Sequence, residues 1–250
     1  DSALQWIHYA QLTNLNNLLN AINLYQLSGQ ITLAQTLINQ FPSSLVKDTL
    51  TIRQAVFTQN LKTAHELIHR NDSLKKYKNE LYLWKVRVAL FNKESDNLMK
   101  LLDSIPEIPT FSGSAEVLGY KYRILKLMDY PEALEAWRLI EYNCYIERLM
   151  AALTLLEQLR CDAGCKAECA LVVAHHLYER KKIAEALAVL SSFDESGVSA
   201  EFLYQKALCL QKQEKPVECR KLLEKILLDF PDDIYSGKAR LILSDLPSGQ

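Results

Sequence analysis

Glycine and proline are scarce, with seven of each in 250 residues. A sheet-rich fold needs many tight turns, and these residues make most of them, so the shortage argues against one. No stretch reaches the roughly 18 consecutive apolar residues of a membrane span. No signal peptide is visible. The chain starts at Asp1 rather than Met, so it reads as a piece or processed form of a longer product, with a removed targeting segment left open. Net charge is nearly absent as well, with 29 Lys and Arg against 30 Asp and Glu. A nucleic-acid binder usually carries a basic excess or stripe, so no nucleic-acid partner is expected. The densest basic run, Lys75-Lys76-Tyr77-Lys78, reads as a solvated face. Glycine-rich phosphate loops, the G-x-S-x-G elbow and paired-carboxylate signatures are missing, in keeping with a binding scaffold. The six cysteines are too dilute for a disulfide framework, which belongs to short, Cys-dense chains. They read most simply as reduced core residues, with the compartment left open.

What is present is helix-forming material. Leu, Ala, Glu, Lys and Gln fill long stretches, and hydrophobic residues make up 49% of the chain, enough for a continuous core. The segment 200–233 shows how they are arranged. Two apolar-periodic stretches flank the polar break Gln213-Glu214-Lys215. Pro216 stands where a second helix begins, a position that tolerates proline. Val217, Leu222, Leu223, Ile226 and Leu227 then mark one buried helical face, and Pro231-Asp232-Asp233 ends it. The segment 167–199 repeats this plan around Lys181-Lys182. Ala174 and Ala207, Ala186 and Cys219, and Leu190 and Leu223 are each 33 residues apart. Three matches at one offset predict a repeated helical hairpin.

These residues resemble the tetratricopeptide repeat. In the last unit the matching positions are Ala207, Leu210, Cys219, Leu223 and the closing Pro231, and in the unit before they are Ala174, Leu177, Ala186 and Leu190. Asp129-Tyr130-Pro131-Glu132-Ala133-Leu134 looks like the same turn into a second helix, with Ala133 and Trp137 in the equivalent places. Tyr25, Gly29, Ala34, Ile38 and Phe41-Pro42 read likewise, as does Ala64 with Ile68. Ala34, Ala64, Leu98 and Ala133 are separated by 30, 34 and 35 residues. The next gap, from Ala133 to Ala186, is 53 and breaks the period. Residues 131–160 are therefore either one extended helix or an irregular pair, with Ala152 an alternative anchor 34 before Ala186. The early Trp of the family is absent from most units, and Leu98 stands in for Ala.

The resemblance implies an all-α fold, a right-handed α-α superhelix of about six to seven hairpins. It would run as a single solenoid over residues 1–250, clearest at 167–199 and 200–233, irregular at 131–160, and closed by a capping helix at 234–246. Asp1–Leu12 would be the mate of a helix lost upstream. Small anchors suit this plan because paired helices approach to about 8–10 Å. The resemblance further implies a protein or peptide partner, no cofactor and no catalysis, with the partner held in a groove lined by first helices. Outward positions there are Asn16, Asn23, Gln26, Arg53, Tyr122, His175, Tyr178, Tyr204 and Gln211. The Lys/Asn carboxylate clamp of chaperone-binding relatives is not matched. The ending LLEKILLDFPDDIYSGKARLILSDL is similar to repeats of bacterial cell-envelope assembly proteins, which leaves a cytoplasmic or an envelope location open.

Two constellations compete with that reading. His65-Glu66-Leu67-Ile68-His69 matches H-E-x-x-H, which on a helix aligns two imidazoles for Zn²⁺ beside a general base. A zinc-dependent hydrolase using His65, Glu66 and His69 is one alternative function. Arg70-Asn71-Asp72 follows instead of an apolar continuation, no third ligand has a familiar spacing, and two exposed helix histidines are the plainer reading. Cys161, Cys165 and Cys169 recur every fourth residue, with His175-His176 downstream. Reduced thiols, a disulfide and, last, a metal site are the readings that spacing leaves open. A self-assembly or regulatory module of a multidomain protein is the remaining alternative.

Overall fold

The computed structural model describes residues 15–41, 45–73, 81–104, 114–195 and 197–246. Among them are fourteen α-helices and no strand, so the all-α expectation holds. The chain divides into two compact units, 1–122 and 123–250. The expected pairing of Asp1–Leu12 and the basic run at 75–78 lie outside the described residues.

The first unit contains α1 (Leu15–Leu27), α2 (Ile31–Asn39), α3 (Leu45–Phe57), α4 (Leu61–Ser73), α5 (Tyr82–Phe91) and α6 (Ser95–Asp103). Helix α7 (Ser114–Leu127) starts in this unit and ends in the second. The second unit continues with α8 (Pro131–Tyr145), α9 (Leu149–Gln158), α10 (Ala163–Glu179), α11 (Ile183–Ser191), α12 (Ala200–Lys212), α13 (Pro216–Asp229) and α14 (Ile234–Asp245). Helices pack as consecutive pairs: α1 with α2, α3 with α4, α5 with α6, α8 with α9, α10 with α11, and α12 with α13. In the second unit α8, α10, α12 and α14 also pack in succession, forming one layer of first helices.

One turn joins every pair. Gly29, Gln59, Lys93, Glu147, Lys181 and Glu214 all have positive φ, between 58° and 74°. The amide after each donates back to a carbonyl five residues earlier, as in Gln30 to Tyr25 (2.8 Å), Arg148 to Asn143 (2.8 Å) and Lys215 to Leu210 (3.0 Å). This is the Schellman closure of a helix C-terminus. Only the first of the six turns uses glycine, the residue for which left-handed backbone carries no Cβ penalty.

The turns set a common register. Seven residues before the left-handed residue stand Ile22, Ile52, Val86, Ile140, Ala174 and Ala207. Five after it stand Ala34, Ala64, Leu98, Ala152, Ala186 and Cys219. Nine after it stand Ile38, Ile68, Leu102, Leu156, Leu190 and Leu223. None of these eighteen side chains is more than 6% exposed. In five of the six pairs a small second-helix residue lets the two helices close together, Leu98 being the exception, and the aliphatic four residues on lies over it one turn later.

This register corrects the reading of residues 129–160. Ala133 is fully buried, but it belongs to the first helix of the pair α8–α9, and Ala152 is the second-helix anchor. The segment is a helix pair in the common register, neither one long helix nor an irregular pair. The local signals misled because proline is at home in the first turn of any helix. Pro131 therefore does not distinguish a first helix from a second, and Asp129 lacks the positive φ of the other turns. The segment expected as a capping helix forms α14. Its N-cap Asp233 accepts from the Tyr235 amide at 2.9 Å, and α14 packs on α12 and α13.

Candidate functional site

The turn register also sorts the surface. Six residues before each left-handed residue stand Asn23, Arg53, Arg87, Glu141, His175 and Leu208, and all six are at least partly exposed. Three before it stand Gln26, Val56, Leu90, Cys144, Tyr178 and Gln211. The expected groove residues Asn23, Arg53 and His175 thus share one position, and Gln26, Tyr178 and Gln211 share another. Arg87, Glu141 and Leu208 complete the first row and were not expected. The signal for them is the turn register, which non-glycine residues conceal.

In the first unit this face is tied together internally. Arg53 donates to Asn23 Oδ1 and lies 5.4 Å from the Phe57 ring centroid. Arg87 clasps Glu116 with two bonds of 2.8 Å and lies 5.2 Å from the Trp84 ring. Gln26 is not open to a partner. It is 2% exposed and donates to Gln54 Oε1 at 2.8 Å, while Gln54 donates to the Ile31 carbonyl at 2.9 Å. Its role is to join α1, α3 and the start of α2. Tyr122, on α7, is 52% exposed. The side chain of Asn16 lies outside the described residues.

The second unit carries the richest cluster. Arg123, at the end of α7, donates to Glu201 Oε1 on α12 at 2.8 Å. Burial opposes its charge, but Glu201, Glu141 and Glu168 together outweigh burial and hold the guanidinium above its usual pKa. Lys126 donates to Glu168 of α10, whose side chain is 2% exposed. Tyr235 on α14 is hydrogen-bonded to Glu201, and burial followed by that carboxylate's charge pushes its hydroxyl well up. Its ring lies 5.1 Å from that of Tyr204 on α12. The Lys238 ammonium stands 4.5 Å from the Tyr235 centroid and 5.8 Å from that of Tyr204. Burial raises the hydroxyls of both Tyr178 on α10 and Tyr204, and Tyr178 lies near enough to Tyr204 to be raised further by it. Tyr178 and Tyr204 are therefore brought together, while Arg123, Glu201, Tyr235 and Lys238 join them without a sequence signal. His175 is exposed, and Gln211, two turns beyond Tyr204, is half-buried on the same face of α12.

His65 and His69 lie one turn apart on α4, with ring centroids 6.4 Å apart. Both line a cavity of about 180 Å³ with Ile68, Lys85, Val88, Ala89, Glu94, Asn97 and Leu101. Burial favours protonation of Glu94, but hydrogen bonds from Asn97 and Asn92 and the nearby His65 overcome it and hold the carboxyl below its usual range. Among the described residues, no group of three or more His, Cys, Asp or Glu is arranged to hold a metal ion. Nor is any described helix long and apolar enough to cross a membrane.

Compared with protein-family models, curated proteins and solved structures, the chain matches none.

Proposed function

We propose that the chain is a tetratricopeptide-like α-solenoid that binds a partner protein or peptide on its first helices and acts by holding rather than by catalysis. The six-fold recurrence of one turn and three buried positions supports the repeat reading. The observation that carries the binding reading is the open face of α10, α12 and α14. There Tyr204 and Tyr235 meet under Lys238, with Tyr178 beside Tyr204, and Arg123 pairs with Glu201, the partner of Tyr235. Tyrosine supplies contact area at low entropic cost and is favoured in binding hot spots.

The test is site-specific photo-crosslinking in the source cells. A crosslinker at Tyr204 should capture a discrete partner, and one at Glu224 on exposed α13 should not. Equal capture from both faces, or none from either, would count against the groove.

A second reading, zinc hydrolysis by His65, Glu66 and His69, has one observation in its favour. The two imidazoles share a cavity with a carboxylate. Purification in zinc-supplemented buffer followed by metal analysis decides it. Stoichiometric zinc that disappears in His69→Ala would establish a site, and trace zinc in the unaltered protein would remove it.

A further inference from the structure

Three thiols stand near the start of α10, and two of them are arranged differently from the third. Cys161 immediately precedes the N-cap residue Asp162, and Cys165 lies in the first turn. Asp162 Oδ1 accepts from the Cys165 amide at 2.8 Å, and Oδ2 accepts from the Cys165 thiol at 3.4 Å. With Asp162 extended (φ −61°, ψ 164°), the chain turns at the cap and brings the Cys161 thiol near enough to that of Cys165 for each to influence the other's ionisation. Cys161 is half-buried, while Cys165 is 6% exposed. Cys169 is fully buried, and its thiol points to the Ala133 carbonyl at 3.8 Å. All six cysteines are free thiols in the structure.

We propose that Cys161 and Cys165 are a modification site, a dithiol that exchanges with a small or cysteinyl disulfide to form an intrachain disulfide across the N-cap of α10. Cys161, the more accessible thiol, loses its proton and attacks one sulfur of the incoming disulfide, expelling one thiol. The Cys165 thiolate then attacks the Cys161 sulfur and expels the second. Two S–H bonds are replaced by one S–S bond, and the oxidant leaves as two thiols. Asp162 fixes Cys165 through its amide and its thiol, and Cys161 is bonded directly to that same cap residue, so the second step needs only a local rearrangement at the cap.

The charged groups around the pair set its behaviour. Burial and the Asp162 carboxylate raise the Cys161 thiol, while Lys166 draws it back in part. Burial, the hydrogen bond to Asp162 and that carboxylate's charge push Cys165 up to about 12, with Lys126 opposing. Few thiolates exist at neutral pH, so oxidation is slow there and faster in alkaline buffer. Because the reduced thiols gain little by ionising, the disulfide once formed resists reduction.

The test uses the intact chain. It is equilibrated over a series of oxidised-to-reduced glutathione ratios, alkylated and digested with trypsin. Cleavage after Arg160 and Lys166 releases Cys-Asp-Ala-Gly-Cys-Lys, which holds these two cysteines and no other. Expected is an unalkylated peptide two hydrogens lighter, increasing with the oxidised fraction and appearing faster in alkaline buffer. Cys161→Ser should abolish it, and Cys169→Ser should leave it intact. The proposal is overturned by a doubly alkylated peptide across the whole series, by a glutathione adduct on Cys161 that Cys165 does not resolve, or by a Cys161–Cys169 bond.

Discussion

Lys181 adopts φ 63° in the turn from α10 to α11 and hydrogen-bonds through its amide to the Tyr178 carbonyl at 2.9 Å. Left-handed backbone costs an L-residue about 1–2 kcal/mol, of which glycine's extra unfolded-state entropy returns about 0.5–1 kcal/mol. Lys181→Gly should therefore stabilise the fold by up to about 1 kcal/mol, read as a raised urea midpoint with an unchanged slope. Gly29→Ala should do the reverse by about 1 kcal/mol. Its Cβ would meet nothing within 4 Å, so the loss is purely conformational. A second residue-scale effect concerns His176, which accepts from Arg180 Nε at 3.0 Å and lies 3.6 Å from Glu147. Burial, and then the neighbouring His175, lower its pKa. The unfolded chain thus binds more protons than the folded one as pH falls through the ordinary histidine range. Stability contributed by neutral His176 should be complete at neutral pH and be lost as pH falls below about 6.5. In His176→Gln that part of the acid dependence should vanish from the pH profile of the urea midpoint.

At the scale of the elements, the first-helix layer of the second unit is tied to α7 by a largely buried cation. Arg123 lies among Glu201, Glu141 and Glu168, and removing one partner of a buried pair typically costs about 3–5 kcal/mol. Arg123→Leu should lower stability by roughly 3 kcal/mol. Arg123→Lys should recover only part of this, because the planar fork is lost. Denaturant unfolding followed by circular dichroism reads both. The N-cap of α14 is a smaller and separable term. Asp233→Ala removes the bond to the Tyr235 amide and should cost about 1 kcal/mol, whereas Asp233→Asn should cost little.

Within the second unit, packing is unequal from helix to helix. Helix α10 packs on α8, α9, α11 and α12, and α12 packs on α10, α11, α13 and α14, whereas α14 packs only on α12 and α13 among the pairs in substantial contact. In a stack held by neighbouring elements, protection follows the number of neighbours. Native-state hydrogen exchange should be slower in α10 and α12 than in α14, and equal protection of the three would show that the unit opens only as a whole. Much of this organisation is legible in the chain itself. The alternation of apolar stretches with short polar breaks marks the helices, and Ala34, Ala64, Ala186 and Cys219 mark second helices because small residues suit close helix contacts. Helicity and these anchors are local properties, so the sequence by itself determined an all-α chain of repeated helix pairs. Pairing is not local. Pro131 suits a first or a second helix equally, and only packing decided that α8 joins α9 with Ala152 as the anchor. Five of the six left-handed turn residues carry side chains, so their register became visible only in the backbone. The Arg123–Glu201 contact spans 78 residues of sequence. It joins α7 to α12, helices remote in sequence, an effect of tertiary packing that no local pattern encodes.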